Sequence, residues 1–384
     1  MRICIVYDCL YPWTVGGAER WYRNLAERLV AEGHEVTYLT RLQWGPDTMP
    51  QLRGVRVLAV SRAEPLYGAD GNRRVGQALR FGRGVLGHLL RHGRRYDVVH
   101  TASFPYFSVL AAAAARARHR YALLVDWHEV WSWSYWRTYL GLPGGLAGYA
   151  VQLACVHVSQ RAFCFSRLHG DRLVAEGLRG AVTMLTGEYA GDLTPPKPNN
   201  AEARVVFAGR HIPEKRAPAM VPAVALARAA VPGLRGTVFG DGPERHAVCA
   251  AIAREGMEGV VDAPGFVDAD EVDAALRSAL CMLLPSSREG YGMVVVEAAS
   301  RGTPSIVVHG EDNAAVELVE DGVNGVLARS AAPEDLAEAI VRVHRAGFAM
   351  RASTCAWFAA NAQRLSLGTS LDRVAEAYAD SARS

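Results

Sequence analysis

The chain has 384 residues, 50% of them hydrophobic and 21% charged, with 42 lysines and arginines against 39 acids for a formal charge of +3. That near balance excludes nucleic acid as a partner demanded by bulk charge, and the length suits two domains of ordinary size rather than one. Cys4, Cys9, Cys155, Cys164, Cys249, Cys281 and Cys355 are scattered, odd in number and never spaced as a metal clip or a disulfide framework, so they read as reduced thiols.

From the start, Arg2 to Tyr7 is a short apolar strand that runs into a loop carrying Gly16-Gly17. Helical spacing of Trp21, Leu25 and Leu29 follows, and Gly33 to Leu39 returns to a strand pattern, which makes a βαβ unit. The apolar stretch before Asp8 is too short for a signal peptide, and the run Phe104 to Ala115 falls short of the ~20 residues a spanning helix needs, so a soluble, cytoplasmic protein is expected. Further strands are predicted at Val55 to Val60, Tyr96 to His100, Tyr121 to Val125, Ala162 to Phe165 and Val182 to Leu185.

Between Gly71 and Tyr96 lie seven arginines and no acid, with Val75, Leu79, Leu86 and Leu90 roughly along one helical face. Two readings stand: peripheral membrane contact through residues 71–96, or a solvated helix whose apolar stripe packs on a sheet. Asp126-Trp-His-Glu129 puts His128 at the carboxyl end of a strand, within a cluster of Trp127, Trp131, Trp133 and Tyr135 that is either one wall of a ligand pocket or plain core.

Thr194 to Asn200, with three prolines and two asparagines, reads as a linker between a first domain over 1–193 and a second over 201–365, with a last helix over 366–384. The second domain restarts the alternation: strands at Ala203 to Ala208, Gly236 to Phe239, Val260 to Ala263, Cys281 to Pro285 and Ser305 to Val308, with helices at about 217–230, 244–255 and 333–344. The fold class is therefore α/β, two doubly wound Rossmann-like domains, with ligands expected beyond the carboxyl ends of the strands. Asp268-Ala-Asp270 precedes a helix and reads as its N-cap rather than a metal clip.

The strongest motif runs from Pro285 to Glu297, strand into glycine turn into helix, with Glu289 and Glu297 eight positions apart and Gly290 and Gly292 between them. A carboxylate beside such a turn suits sugar hydroxyls, and the helix start offers amides to a phosphate. Together with Arg301-Gly-Thr-Pro304, Asp321-Gly-Val-Asn-Gly325, Gly16-Gly17-Ala-Glu19, Gly33-His-Glu-Val36, Gly209-Arg210…Glu214-Lys215 and Gly240-Asp-Gly-Pro243, it resembles the signature of retaining family-4 glycosyltransferases with the GT-B fold.

That resemblance implies two domains facing a central cleft and a last helix crossing back onto the first. Its donor contacts would be Gly16, Gly17, Arg210, Lys215, Glu289, Gly290, Tyr291, Gly292, Met293, Val294 and Glu297. Glu297 would hold the ribose, Glu289 and His128 would touch the transferred sugar, and Arg210 and Lys215 would neutralise the diphosphate without metal or cofactor. The expected donor is a UDP-sugar first and a GDP-sugar next; the acceptor is a hydroxyl-bearing natural product, metabolite, glycolipid or polysaccharide. A nucleotide-sugar epimerase and a catalytically silent binding protein remain as alternatives. The chain departs from the pattern at Arg216, where glycine is usual, and at Gly310 to Ala314, where a glycine pair is common.

Overall fold

A computed structural model describes the chain apart from Pro46, Met49, residues 67–72 and residues 382–384. It divides into two compact units: Met1–Thr186 together with Gly368–Ser384, and Gly187–Leu367. The division falls ahead of the proline-rich segment. That segment belongs to the second unit, where Asn199 accepts from the Arg351 guanidinium at 2.5 Å and donates to the Arg277 carbonyl at 3.2 Å.

The first unit contains β1 (Arg2–Val6), α1 (Gly17–Ala31), β2 (Glu35–Arg41), β3 (Val55–Ser61), α2 (Val75–His92), β4 (Val98–Ala102), α3 (Phe107–Arg116), β5 (Ala122–Trp127), α4 (Trp133–Val156), β6 (Gln160–Cys164), α5 (Arg167–Ala175) and β7 (Gly180–Met184). All seven strands form one parallel sheet in the order β3-β2-β1-β4-β5-β6-β7. Ile3, Cys4, Ile5 and Val6 are wholly buried, as expected of a central parallel strand covered on both faces, and this is why β1 reads as an unbroken apolar run.

Helix α2 shows which of its stripes packs. Ala78, Phe81, Val85 and Leu89 are buried, and Gly82 lets it approach α3 so closely that a Cβ there would stand 2.6 Å from the Phe107 Cβ. The stripe named from the sequence is largely the other one: Val75, Leu79 and Leu90 are 54%, 49% and 42% exposed. Gly71 and Asn72 lie outside the described residues.

The second unit contains β8 (Arg204–Ala208), α6 (Met220–Ala227), β9 (Arg235–Phe239), α7 (Arg245–Arg254), β10 (Val261–Gly265), α8 (Ala269–Ser278), β11 (Cys281–Leu284), β12 (Arg288–Glu289), α9 (Met293–Ala299), β13 (Ser305–Val308), β14 (Asp312–Asn313), β15 (Gly325–Ala328) and α10 (Pro333–Leu365). Six strands form a parallel sheet in the order β10-β9-β8-β11-β13-β15, and β12 pairs with β14 in a small second sheet. Helix α10 is far longer than the 333–344 segment expected and bends at Gly347, where φ is +53°. Asp268 does stand at the N-cap position of α8, but its side chain makes no capping hydrogen bond.

α11 (Leu367–Ser381) ends the chain on the first unit. There the Tyr378 hydroxyl meets His100 Nδ1 at 2.5 Å, Arg28 pairs with Asp372 at 2.7 Å, and Arg373 donates to the Met184 carbonyl at 2.5 Å. Where the chain enters and leaves the second unit the two segments pair: the Tyr189 amide donates to the Leu365 carbonyl at 3.1 Å, and the Leu367 amide to the Tyr189 carbonyl at 2.8 Å.

Candidate active site

In the second sheet the strand order reverses between β8 and β11. One side of β8 is filled by β9 and β10, and the chain then returns to build β11, β13 and β15 on the other. The loops after β8 and β11 therefore leave the sheet side by side, the usual place for a ligand in an open parallel sheet. Here they are fastened together. The Ser287 amide donates to the Glu214 carbonyl at 2.8 Å, Arg288 Nη2 donates to Glu214 Oε1 at 3.2 Å, and Lys215 Nζ donates to Glu289 Oε1 at 2.5 Å. Two acid–base pairs thus cross in opposite senses, which fixes both loops and leaves each charge in a set place.

Glu289 is buried to 7% exposure because β12 lies against β14 in the register Glu289↔Asn313. Asn313, wholly buried, donates to the carbonyls of Ser286 and Val308 at 3.1 and 2.7 Å and accepts from the Ala315 amide at 3.1 Å. The segment that departs from the family pattern is therefore the backing of Glu289.

Gly292 follows with φ +99°, and a Cβ there would lie 2.5 Å from the Ala315 Cβ, so only glycine makes this turn. Helix α9 starts at Met293, and the amides of Met293 and Val294 belong to the turn that has no intrahelical acceptors. Glu297 stands one turn into this short helix, half-buried. Tyr291 is buried, its phenol pushed up by desolvation and by the charge of Glu188, so it remains a neutral packing group. Gly290 lies in the bend between β12 and α9.

Arg210 is exposed in the loop after β8. Beside it, Gly240 and Gly242 have φ of +117° and +148°, and a Cβ on either would fall 1.9 Å from the Gly209 carbonyl oxygen or 2.5 Å from that of His211. These glycines let the loop after β9 press against the loop that carries Arg210. Arg216 holds the left-handed conformation, φ +49° and ψ +36°, and is the one non-glycine residue with positive φ among the described residues. The departure from glycine in sequence is thus not a departure in backbone: an arginine occupies the shape that glycine would take.

In the first unit, β5 ends in Asp126-Trp127 and hands His128 to the following loop. Asp126 is wholly buried. Its Oδ2 accepts from the Trp21 indole at 2.7 Å and its Oδ1 from His100 Nε2 at 2.7 Å. An ionised carboxylate only accepts, so Nε2 of His100 carries the proton and Nδ1 is left to accept from Tyr378. Burial is the largest influence on Asp126 and opposes its charge, but the neighbouring His100 and His128 and the hydrogen bonds of His100 and Tyr22 together hold the carboxyl below its ordinary value. His128 stacks on Phe165 with ring centroids 4.4 Å apart. Desolvation, only partly offset by Asp126, lowers its pKa to about 4, so it is a neutral imidazole at physiological pH.

The aromatic cluster is mostly core, which corrects the pocket-wall reading for two of its members. Trp127 is wholly buried with its indole N–H on Gln160 Oε1 at 2.9 Å, because it ends a central strand under α4. Trp131 is 7% exposed and packs on Trp136 and Tyr139, whereas Trp133 and Tyr135 are half-buried. Gly16 is extended at φ −176°, which any residue adopts, and a Cβ there meets only the movable Glu19 carboxylate; Gly17 opens α1. Among the described residues no group of three or more His, Cys, Asp or Glu is arranged to hold a metal ion.

Two open parallel sheets, the second with paired charges gathered at its strand-order reversal, define a two-unit α/β protein of the nucleotide-handling kind. Residues 15–187 match the model for Glycosyltransferase Family 4 and residues 194–356 that for Glycosyl transferases group 1. Glycogen synthase of Mycobacterium tuberculosis is 27% identical over 357 residues, 88% of this chain and 84% of the relative. D-inositol 3-phosphate glycosyltransferase of a Nocardioides species is 28% identical over 360 residues, 85% of this chain and 77% of the relative. Among solved structures, sucrose-phosphate synthase of Thermosynechococcus elongatus superposes with a TM-score of 0.79 at 18% identity, over 99% of this chain and 98% of that one. HepE of Anabaena in complex with UDP does so with a TM-score of 0.73 at 20% identity, over 99% and 100%. The chain belongs to the group 1 glycosyltransferases of the GT-B fold, enzymes that use nucleotide sugars.

Proposed function

We propose that the protein is a retaining glycosyltransferase that takes a sugar from a UDP-sugar, or failing that a GDP-sugar, and delivers it to a hydroxyl-bearing acceptor without a metal. The observation that carries this reading is the pair of crossed ion pairs at the β8/β11 switch point. As the bond from the anomeric carbon to the phosphate oxygen breaks, negative charge builds on the leaving diphosphate, and fixed cations stabilise it without reorganising. Lys215, held by Glu289, and Arg210 supply those cations; Glu289 accepts hydrogen bonds from the sugar, and Glu297 from the ribose. The new bond forms from the acceptor oxygen to the anomeric carbon on the same face, and the departing phosphate takes the acceptor's proton. His128, neutral in its site, serves as a hydrogen-bonding partner of the sugar rather than as a cation. In support of the donor, related folds have been solved with UDP and with UDP-glucose.

Calorimetric titration with UDP, GDP, ADP and dTDP, with and without EDTA, tests the reading. One nucleotide should bind, unaffected by chelation. Glu297→Ala should weaken that binding, and Lys215→Ala should depress turnover. Binding by none of the four, or full activity in both variants, would refute it.

A further inference from the structure

We infer that the first unit docks on an anionic lipid bilayer through the outer face of α2 and the kinked middle of α4. Helix α4 is the one helix among the described residues long and apolar enough to cross a membrane by length and composition. It does not lie free to do so. Trp136, Gln152, Cys155 and Val156 are buried, and the Gln152 amide donates to the Trp131 carbonyl and to Glu176, each at 3.0 Å. The opposite side is exposed over Thr138, Leu142, Pro143, Leu146, Ala147 and Ala150, with Leu142 and Leu146 at 58% and 56%. No acid occurs anywhere in α4, and Arg137 is its one charge. A helix half-committed to a core with an apolar outer side lies along an interface rather than through it.

The first turns of α2 stand beside this segment, because the Arg73 amide donates to the Tyr139 hydroxyl at 3.1 Å. They add exposed Val75 and Leu79, with Arg74 and Arg83 also exposed. The packed stripe of α2 takes no part; its outward side does.

Charge chooses the occupant. A second copy of this chain meeting the same face would set arginines against arginines. Nucleic acid would leave the leucines against phosphates. An anionic bilayer neutralises the arginines and buries the leucines and valine at once.

The test is co-sedimentation of the full chain with vesicles of equal parts phosphatidylglycerol and phosphatidylcholine, beside vesicles of phosphatidylcholine alone. The protein should pellet with the anionic vesicles only and be largely released by about 0.5 M salt. The double variants Leu142→Asp/Leu146→Asp and Arg83→Glu/Arg137→Glu should each lower partitioning by roughly tenfold or more. All four positions are on the surface, so melting temperature and nucleotide binding should be retained and serve as the folding control. The inference is overturned if the wild-type chain stays in the supernatant, pellets equally on neutral vesicles, or pellets as well in both variants. It is also overturned if sedimentation velocity shows a vesicle-independent dimer that Leu142→Asp dissolves. None of these outcomes touches the donor chemistry, which the nucleotide titration reads separately.

Discussion

Replacing Arg216 by glycine should stabilise the second unit, whereas replacing it by alanine should not. The left-handed conformation costs a residue with a β-carbon about 1–2 kcal/mol, and Arg216 adopts it at φ +49°. Glycine removes that cost but gains freedom in the unfolded chain, which takes back about 0.4–1 kcal/mol. The balance is a gain of about 0.5–1 kcal/mol, or roughly 2 °C in Tm for a unit of this size. Alanine keeps the β-carbon and hence the strain. Of the 8 tryptophans only Trp357 belongs to the second unit, so fluorescence would follow the wrong part of the chain and calorimetry is the proper assay. Both variants remove the same exposed charge, so both should bind nucleoside diphosphate about two- to fivefold more weakly. Equal melting temperatures for the glycine and alanine variants would refute the strain argument, and a lower one for glycine would reverse it.

Gly292→Ala should cost about 2–4 kcal/mol and abolish transfer, because the added Cβ meets that of Ala315 on a backbone that already has positive φ; adding Ala315→Gly should recover part of the stability in urea melts, and no recovery would disprove the clash. Asp126→Asn sets an amide N–H against either the Trp21 indole or His100 Nε2, and should lower stability by roughly 2–4 kcal/mol in denaturation followed by tryptophan fluorescence, a loss below about 1 kcal/mol contradicting the network. His128 has its pKa lowered from 6.5 to about 4, so the unfolded chain binds its proton more tightly than the native one does. Its contribution is complete above pH 6.5 and is lost as the pH falls towards 4, by at most about 3 kcal/mol. His128→Gln should remove that part of the acid dependence of the urea midpoint, and an unchanged slope would contradict the burial of the imidazole.

Much of the scaffold is legible because central parallel strands are apolar on both faces, as Ile3 to Val6 and Cys281 to Leu284 show. The same rule decides between the two readings left open for Trp127: at the end of a strand covered on both sides, an aromatic next to a candidate histidine belongs to the core. Lys215 and Glu289 were marked by motif, but the Glu214–Arg288 pair joins residues far apart in sequence that only the strand order brings together. Nothing local announces the left-handed turn at Arg216, since glycine is the usual signal for that shape. The Asp126 network had a visible trace, an acid closing an apolar strand, yet its partners Trp21, His100 and Tyr378 come from three distant segments. On α2, apolar residues lie on both sides, so periodicity alone could not say which stripe packs.

The return of the last helix to the first unit has a consequence for synthesis. That unit is interrupted in sequence: its sheet is translated first, but Tyr378, Asp372 and Arg373 follow the whole of Gly187–Leu367. At ribosomal speeds of about 5–20 residues per second, His100 waits roughly 15–55 s for the hydroxyl of Tyr378 that completes its hydrogen bonds. The second unit, being continuous, closes its own sheet first, so the half of the enzyme that begins earliest is the last to be finished.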